Sequence, residues 1–489
     1  MTIIAVSRAR SITIMALIAS LVIIESITLL DLILFPNYQV TYGSFFLRLN
    51  SGLFAVLAPF CPALFLLVLY TSPTRCLLSI AGRYAQPLDR FLKWMSRGLT
   101  WGKEWVSFWK EGGRFSSRWY VSLIVGLSFS TAIAYLPYRR DLNPQATLVG
   151  VDAPIYSGWV GNMLARSIYD AIAYASISAD NGSRPIPLLI LYGVAAISGA
   201  GADSVVRIAP LILAPLLAGT SFLFVWYGMG DKRAACLTAI LSACSYQLTV
   251  GVWAGYYANW LALAESYTLL TGFLLFSKNQ SRKAYLLMFS GSLILLFTHP
   301  WTWTIVLVLV TLVAAENYLN NRNTLLLKPI LLLAAFDASV DLARILIIGS
   351  YGGEKAAYDI ATRASPFEIA NAWPNSVSAF QHYDGYLANA VYFVLALVAM
   401  ISLYRARNEF SRVLVLWTTL SALPFALFDS IVQSRVIYVT PVPILAVIGL
   451  LRITQNLQEK MQVLLILTIV LLEANVAVLS MVQLVSVPG

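Results

Sequence analysis

The sequence predicts an all-α membrane protein that crosses the bilayer many times. Of its 489 residues, 59% are apolar and only 11% are charged, and the mean hydropathy is +0.75. Soluble globular domains are roughly 45–50% apolar and about 25% charged. Apolar runs of about 20 residues, long enough to cross a bilayer as helices, recur along the chain. This composition excludes a water-soluble enzyme, a disordered chain and a secreted disulfide scaffold.

Thirteen segments have the length and hydropathy of membrane-spanning helices. The stretch 284–317 is too long for one crossing and contains Pro300, which predicts a hairpin that turns at Thr298-His299-Pro300. The apolar segment Ile186–Ala200 has only 15 residues, a length typical of re-entrant or interfacial helices. The thirteen predicted spans are 11–35, 52–71, 119–137, 206–228, 234–250, 258–276, 284–299, 301–317, 326–349, 388–404, 412–428, 435–451 and 461–481.

The basic residues decide whether segment 186–200 crosses the membrane. If it does not cross, the chain after residue 208 places twelve basic residues on the side of the N-terminus and three on the other side. Because cytoplasmic loops are enriched in Lys and Arg, this arrangement is favoured. The prediction is therefore a multi-pass protein of the cell membrane or an ER-type membrane, with a cytoplasmic N-terminus and an outer C-terminus. The twelve are Lys232, Arg233, Lys278, Arg282, Lys283, Arg322, Lys328, Arg405, Arg407, Arg412, Arg452 and Lys460, and the three are Lys355, Arg363 and Arg435.

The same topology divides the chain into four regions. Segment 72–118 has nine basic residues, three acidic ones and four tryptophans, which suits cytoplasmic interfacial helices that contact anionic lipid. The core has large outer loops at 138–205 and 350–387, and the first of these predicts an amphipathic juxtamembrane helix at Tyr156–Ser176. The net charge of +10 follows from this topology, and nucleic acid is not expected as a partner. The regions are 1–71 with two N-terminal spans, 72–118, the core 119–451, and 452–489 with the last span.

The first outer loop contains two candidate catalytic acids. It reads Arg-Arg-Asp141, and then Val-Gly-Val-Asp152-Ala-Pro-Ile-Tyr156. Asp152 precedes the predicted helix, where a carboxylate can cap the helix N-terminus. A carboxylate at the water–lipid border of a large loop can instead act as a general base. The residue pattern leaves both interpretations open.

The order of features around this loop resembles GT-C type membrane glycosyltransferases over roughly residues 119–451. In that family an acid and a tyrosine follow a span, and a horizontal apolar helix, a span opened by an arginine and a basic cytoplasmic turn come next. The last third commonly carries a basic residue and a tyrosine ahead of an apolar helix that contains proline. The matching residues are Asp152 and Tyr156, Arg184-Pro185-Ile186-Pro187, Arg207 with Pro210, Asp231-Lys232-Arg233, and Arg435 with Tyr438, Pro441 and Pro443.

The resemblance implies transfer of a sugar from a polyprenyl phosphate or diphosphate to a lipid, glycan or protein acceptor on the outer face. Asp152 then matches the catalytic acid, with Asp141 as a second acid. The residue pattern predicts no metal site, and it leaves open a loosely held divalent cation, Mg²⁺ or Mn²⁺, between the two acids if the donor is a diphosphate. Arg435 suits bidentate binding of the leaving phosphate, and Tyr438 at i+3 can share its helix face. Arg207 is a second phosphate ligand or an interfacial arginine that snorkels.

Other polar residues have two interpretations each. His299 either forms a polar turn in an aromatic belt or lines the sugar pocket, and Glu265 either faces that cavity or binds a neighbouring helix. His382 is a solvated loop residue or pairs with Asp384 near the acceptor. The segment around them, His-Tyr-Asp-Gly-Tyr, is not the WWDYG motif of oligosaccharyltransferases, which argues against transfer of a whole oligosaccharide to asparagine.

Two functions other than glycosyl transfer stay open on the sequence. A transporter or flippase of a lipid-linked or small solute would use Asp337, Asp341 and Arg344, which share one face of a predicted span, although a structural pairing within that face also explains them. A non-catalytic membrane scaffold is the other alternative. The four cysteines show no spacing typical of metal ligands and are interpreted as buried apolar residues.

Overall fold

The computed structural model describes residues 2–35, 56–81, 117–321, 324–349, 370–382, 389–403 and 408–486. In these ranges the regular elements are helices and there is no strand, as the sequence predicts. The α-helices, numbered in chain order, are α1 Thr2–Leu34, α2 Cys61–Ala81, α3 Ser117–Tyr135, α4 Ala153–Leu164, α5 Ile168–Ala173, α6 Pro185–Ser198, α7 Ala202–Met229, α8 Lys232–Ala243, α9 Tyr246–Ala254, α10 Tyr257–Asn279, α11 Arg282–Thr298, α12 Pro300–Asn321, α13 Thr324–Ile348, α14 Ala372–His382, α15 Ala390–Leu403, α16 Glu409–Leu427, α17 Ser430–Val439, α18 Val442–Thr454 and α19 Glu459–Ser486.

Among the described residues, eight helical segments are long and apolar enough to cross a membrane, or nine if the bent pair α17–α18 is one span. One of the eight consists of α8 and α9 in succession, and α17 and α18 are inclined by 52°. The other predicted spans correspond to α2, α11, α13 and α15, which are helices too. Helices α11 and α15 are shorter, α13 contains four charged residues, and the apolar helix at α2 is limited to Ala58–Thr74. The multi-pass membrane class is therefore confirmed, whereas the number of thirteen crossings stays a prediction.

The centre of the bundle is made of helices that are buried on nearly all sides. The segment Lys232–Ala254 is 94% buried over its most apolar window, and α15 and α18 are buried almost throughout. Gly449 brings the backbone of α18 against the carbonyl of Leu395 in α15, so closely that no Cβ would fit. A core of this kind buries both polar backbone and apolar side chains away from lipid.

The N-terminal spans pack onto this core. The α1 helix lies along α19, where Asn475 donates a hydrogen bond to the Glu25 carboxylate over 2.6 Å. In α2, the Phe65 ring packs edge-on against Phe393 and Phe425, at centroid distances of 5.6 and 5.3 Å. The region 1–71 thus contacts the C-terminal half of the chain directly.

The first outer loop folds into the short helices α4, α5 and α6, which share a small apolar core with α7 and α10. The predicted helix Tyr156–Ser176 is two helices, because α4 ends at Leu164 and Ser167 caps α5 through the backbone N–H of Asp170. The segment predicted not to cross is α6, a helix of only 14 residues. At that length it spans about 21 Å, less than the hydrocarbon thickness of a bilayer.

The basic turns and the first outer loop lie at opposite ends of the bundle. Lys278, near the end of α10, donates to the Tyr227 carbonyl near the end of α7, at a distance of 2.5 Å. The turns that contain Arg233 and Arg282 are therefore at this end. The loop that contains Asp152 packs against the start of α10, at the other end. The prediction of topology from the basic residues requires this separation of the basic turns from the Asp152 loop.

Two predicted regions fall largely outside the described residues. Of segment 72–118, the described part comprises 72–81, which continue α2, and 117–118, which begin α3. Of the second outer loop, 350–387, the structure describes residues 370–382, mostly helix α14.

Candidate functional site

Two glycines hold the Asp152 loop against the C-terminal end of α9. The backbone N–H groups of Val151 and Asp152 donate to the carbonyls of Trp253 and Ala254, over 3.0 and 2.9 Å. Gly255 ends α9 with a φ of +67°, and a Cβ there would lie 2.8 Å from the Ala153 nitrogen. Gly150, at φ +117°, in turn lies against the backbone at the end of α9. Both positions need glycine because the backbones touch.

This contact gives a matched pair of glycine variants. Gly199 ends α6 at φ +69°, and no atom lies within 4 Å of the place that an added methyl group would occupy, so Gly199→Ala meets only the left-handed strain of about 1 kcal/mol. Gly255→Ala meets that strain and a backbone clash, and we expect it to lower the free energy of unfolding by about 3 kcal/mol. Thermal unfolding in detergent measures the stability of both variants. Equal shifts of the unfolding midpoint would contradict the close backbone contact at Gly255.

The Asp152 carboxylate does not cap the helix that follows it. Asp152 occupies the N-cap position of α4, but its side chain accepts no capping hydrogen bond, and its backbone is in the helical region at φ −88°. Its carboxylate makes no hydrogen bond to the described residues, and the side chain is half-buried. The capping interpretation therefore lacks its hydrogen bond, and the carboxylate is available to a substrate.

A charged cluster lies beside this carboxylate. Arg184, just before α6, binds the Asp180 carboxylate over 2.5 Å and donates to the Tyr156 hydroxyl over 3.2 Å. The hydroxyl of Tyr156 also accepts the backbone N–H of Ala258 at the start of α10, over 3.2 Å. Tyr156 is fully buried and thus joins the outer loop to the membrane helices, which is a positioning role.

The charges of this cluster act on Asp152. Burial raises the pKa of the Asp152 carboxyl above its ordinary value, while Arg184 and Arg435 lower it and Asp180 raises it. The net effect of burial and these charges is a raised pKa of Asp152, which suits a carboxylate that takes up a proton during a reaction. Two positive groups on different parts of the chain, one before α6 and one in α17, thus act electrostatically on this carboxylate.

Arg435 lines a pocket between α17, the start of α10 and the α11–α12 hairpin. The pocket has about 340 Å³ of space between atoms, and its surface is mostly apolar, although Asn259, His299 and Thr302 are among the residues that line it. The guanidinium of Arg435 makes no hydrogen bond to the described residues. A planar cation whose donors make no hydrogen bond to the described residues is suited to a phosphate oxyanion.

His299 lies at the turn of the predicted hairpin, between α11 and α12. Its Nδ1 is 2.8 Å from the Thr302 hydroxyl and accepts the Thr302 backbone N–H. These contacts hold the ring in the pocket wall. Glu265 is not among the residues that line the pocket. Its carboxylate accepts the hydroxyl of Thr298, the residue before His299, over 3.0 Å.

Tyr438 and Arg207 both bind backbone carbonyls. The Tyr438 hydroxyl donates to the Gln247 carbonyl in α9 over 3.0 Å, and its ring is fully buried, away from the pocket wall that Arg435 lines. Arg207, in α7, donates to the carbonyl of Ala146 in the first outer loop. The contacts of these two side chains are those of structural residues, which hold α17 and the loop in place.

The carboxylate of the second predicted acid, Asp141, is paired with an arginine. Both of its oxygens accept hydrogen bonds from Arg139, over 3.0 and 2.7 Å. The positive charges of Arg184 and Arg435 already act on Asp152, and in the described part of the chain no three His, Cys, Asp or Glu side chains come together. The residues present therefore do not fit a divalent cation between Asp141 and Asp152.

Two predicted site residues cannot be placed. Asp384 lies outside the described residues, and for His382 the structure describes the backbone at the end of α14 but not the side chain. Conversely, Arg184, Asn259 and Thr302 are in the site although they were not predicted as site residues. Arg184 precedes a proline at a helix start, which is the one local signal among them.

No family model matches this sequence, and no curated protein matches it significantly.

Proposed function

We propose that this chain is a membrane glycosyltransferase that moves a sugar from a polyprenyl phosphate to an acceptor on the outer face of the membrane. One observation carries the proposal: the positive charge of Arg435 acts on the Asp152 carboxylate, and neither side chain makes a hydrogen bond to the described residues. Arg435 also lines a pocket. A base for the acceptor and a cation for the leaving phosphate are the two groups that such a transfer needs.

In the proposed reaction, Asp152 accepts the proton of the acceptor hydroxyl as the acceptor oxygen attacks the anomeric carbon. The bond between this carbon and the phosphate oxygen breaks, and its electron pair leaves with the lipid phosphate. Arg435 binds the charge that develops on that phosphate through paired N–H donors. The products are the glycosylated acceptor, the polyprenyl phosphate and a protonated Asp152, which returns its proton to water.

The position of the site supports an outer-face reaction. Asp152 and Arg435 lie at the end of the bundle opposite to the turns that contain Arg233 and Arg282. Basic turns mark the cytoplasmic side of membrane proteins. A lipid-linked donor would therefore present its sugar to this site from the outer leaflet.

Two of the three charges of α13 that a transporter would use pair with each other within the bundle, which weakens the case for that function. Arg344 binds Asp341 over 3.1 Å, so the structural pairing predicted for this face is confirmed. Asp337 accepts hydrogen bonds from Ser292 and from the Trp303 indole, over 2.5 and 3.2 Å.

The direct test uses the full chain in liposomes that contain polyprenyl phosphates carrying radioactive sugars. We expect label to leave the lipid carrier only when the protein and an acceptor are present. Movement of the intact lipid-linked sugar between leaflets, with no loss of label from the carrier, would instead support the flippase alternative.

The acid limb of the pH–rate profile gives a second test. The proposed base acts when ionised, so the rate falls as the pH drops through the pKa of Asp152. Arg184 lowers this pKa, so in Arg184→Gln the pKa rises and the limb moves to higher pH. Arg166→Gln removes an exposed arginine of the same loop, whose guanidinium lies over the Tyr174 ring, and is expected to leave the limb in place. The two variants are compared by rates measured from about pH 4 to 8. If their acid limbs coincide, the assignment of Asp152 as the base is contradicted.

A further inference from the structure

A second cavity lies deeper in the bundle, at the break between α8 and α9. It has about 280 Å³ of space between atoms, and its polar wall includes Glu473 from α19, Asn389 before α15, Tyr392 from α15, and Tyr246 and Thr249 from α9. Neither Asp152 nor Arg435 lines it. It is thus separate from the proposed transfer site.

The Glu473 carboxylate in this wall is incompletely bonded. Glu473 lies in the middle of the last span and is 1% exposed. One oxygen, Oε2, accepts a hydrogen bond from the Asn389 amide, whereas Oε1 has no hydrogen-bond partner among the described residues. An ionised carboxylate at such a site needs a compensating charge, because burial without one is strongly unfavourable.

The other polar groups of the wall present oxygen acceptors to the cavity. The Tyr392 hydroxyl uses its one hydrogen on the Leu241 carbonyl over 2.6 Å, and the Tyr246 hydroxyl uses its hydrogen on the Ile437 carbonyl over 2.7 Å. Both phenols are left with lone pairs. Among the described residues that line the cavity there is one carboxylate and no lysine or arginine. Its chemistry is therefore that of a site for a hard cation.

We propose that this cavity binds one monovalent cation of the sodium class, with Glu473 as its anionic ligand. The single negative charge balances a single positive charge, whereas a divalent ion would leave an excess charge inside the bundle. Such an ion would satisfy Oε1 of Glu473 and tie α19 to the start of α9 and of α15. This site does not depend on the proposed sugar transfer.

Binding of radioactive sodium to the purified full chain tests the proposal directly. We expect one sodium ion per chain, displaced by unlabelled NaCl but not by N-methylglucamine chloride. At constant ionic strength, the unfolding midpoint is expected to rise with sodium concentration, because a ligand that binds the folded state stabilises it. A wild-type chain that binds no sodium and unfolds at the same temperature in both salts would overturn the proposal, since Glu473 would then carry a proton.

Variants locate the ion. Glu473→Gln keeps the size of the side chain and is expected to abolish sodium binding and the sodium-dependent shift of the midpoint. Tyr392→Phe removes one oxygen and is expected to weaken binding about tenfold. Glu25→Gln, which changes a buried carboxylate of the neighbouring α1 that is paired with Asn475, is the matched control and should bind sodium like the wild type. Normal sodium binding by a folded Glu473→Gln would also overturn the proposal, and the wild-type measurement decides it if this variant does not fold.

Discussion

Asp152→Asn is expected to lower the rate of sugar transfer on the order of a thousandfold, because general base catalysis contributes about 10²–10⁴ to such reactions. Asparagine has the shape of aspartate but cannot accept the acceptor's proton. Since Asp152 makes no side-chain hydrogen bond to the described residues, the substitution removes no contact that holds the fold. The measurement is initial transfer rate in liposomes, with the unfolding midpoint determined in parallel.

The matched control is Asp170→Asn in the same outer loop. Asp170 is exposed, and its carboxylate bonds only locally, accepting the hydroxyl of Ser167 over 2.6 Å. We expect this variant to transfer sugar at nearly the wild-type rate. An Asp152→Asn protein with full activity would remove the basis for the proposed mechanism.

Arg435→Gln is expected to lower kcat about a hundredfold or more, because a preorganised donor to developing negative charge contributes that much in other enzymes. The effect should appear in kcat more than in KM, since charge on the leaving phosphate increases as the bond breaks. Arg435→Lys keeps the charge but loses the paired donors, so its kcat should lie between those of the wild type and the glutamine variant.

Arg140→Gln, an exposed arginine in the first outer loop, controls for the change in net charge. Steady-state kinetics with varied donor concentration separates kcat from KM in all three variants. An Arg435→Gln protein that keeps the wild-type kcat would show that the leaving phosphate is stabilised elsewhere.

Much of the fold follows from the sequence because hydropathy and helix length act locally. The hairpin at His299 was predictable from Pro300, and the bend between α17 and α18 coincides with Pro441. The break between α8 and α9 was not predictable in the same way. It lies at Cys244 and Ser245, with no proline or glycine to mark it, where α8 packs against α18 and α9 packs against α19.

The candidate site could be predicted only in part. Sorting the charges by side of the membrane selects Asp152 and Arg435, because scarce charges on the outer side are conspicuous. The partners of Asp141 and Tyr438 depend on side-chain contacts within one loop and between distant helices, which spacing does not encode. Glu473 could have been noticed as an ionisable residue inside a span, but only the cavity beside it gives it a role.

The short helix α9 has a consequence for how the protein responds to its bilayer. Its C-terminal carbonyls hold the Asp152 loop, and at its other end Gln247 exchanges hydrogen bonds with Tyr438, one turn from Arg435. The separation of the two groups is thus set by a helix of nine residues, eight of them buried, about 13 Å long, and not by the long spans. Long spans tilt when the hydrophobic thickness of the membrane changes. Attachment to one internal helix therefore insulates the spacing of Asp152 and Arg435 from the thickness of the membrane in which the protein resides.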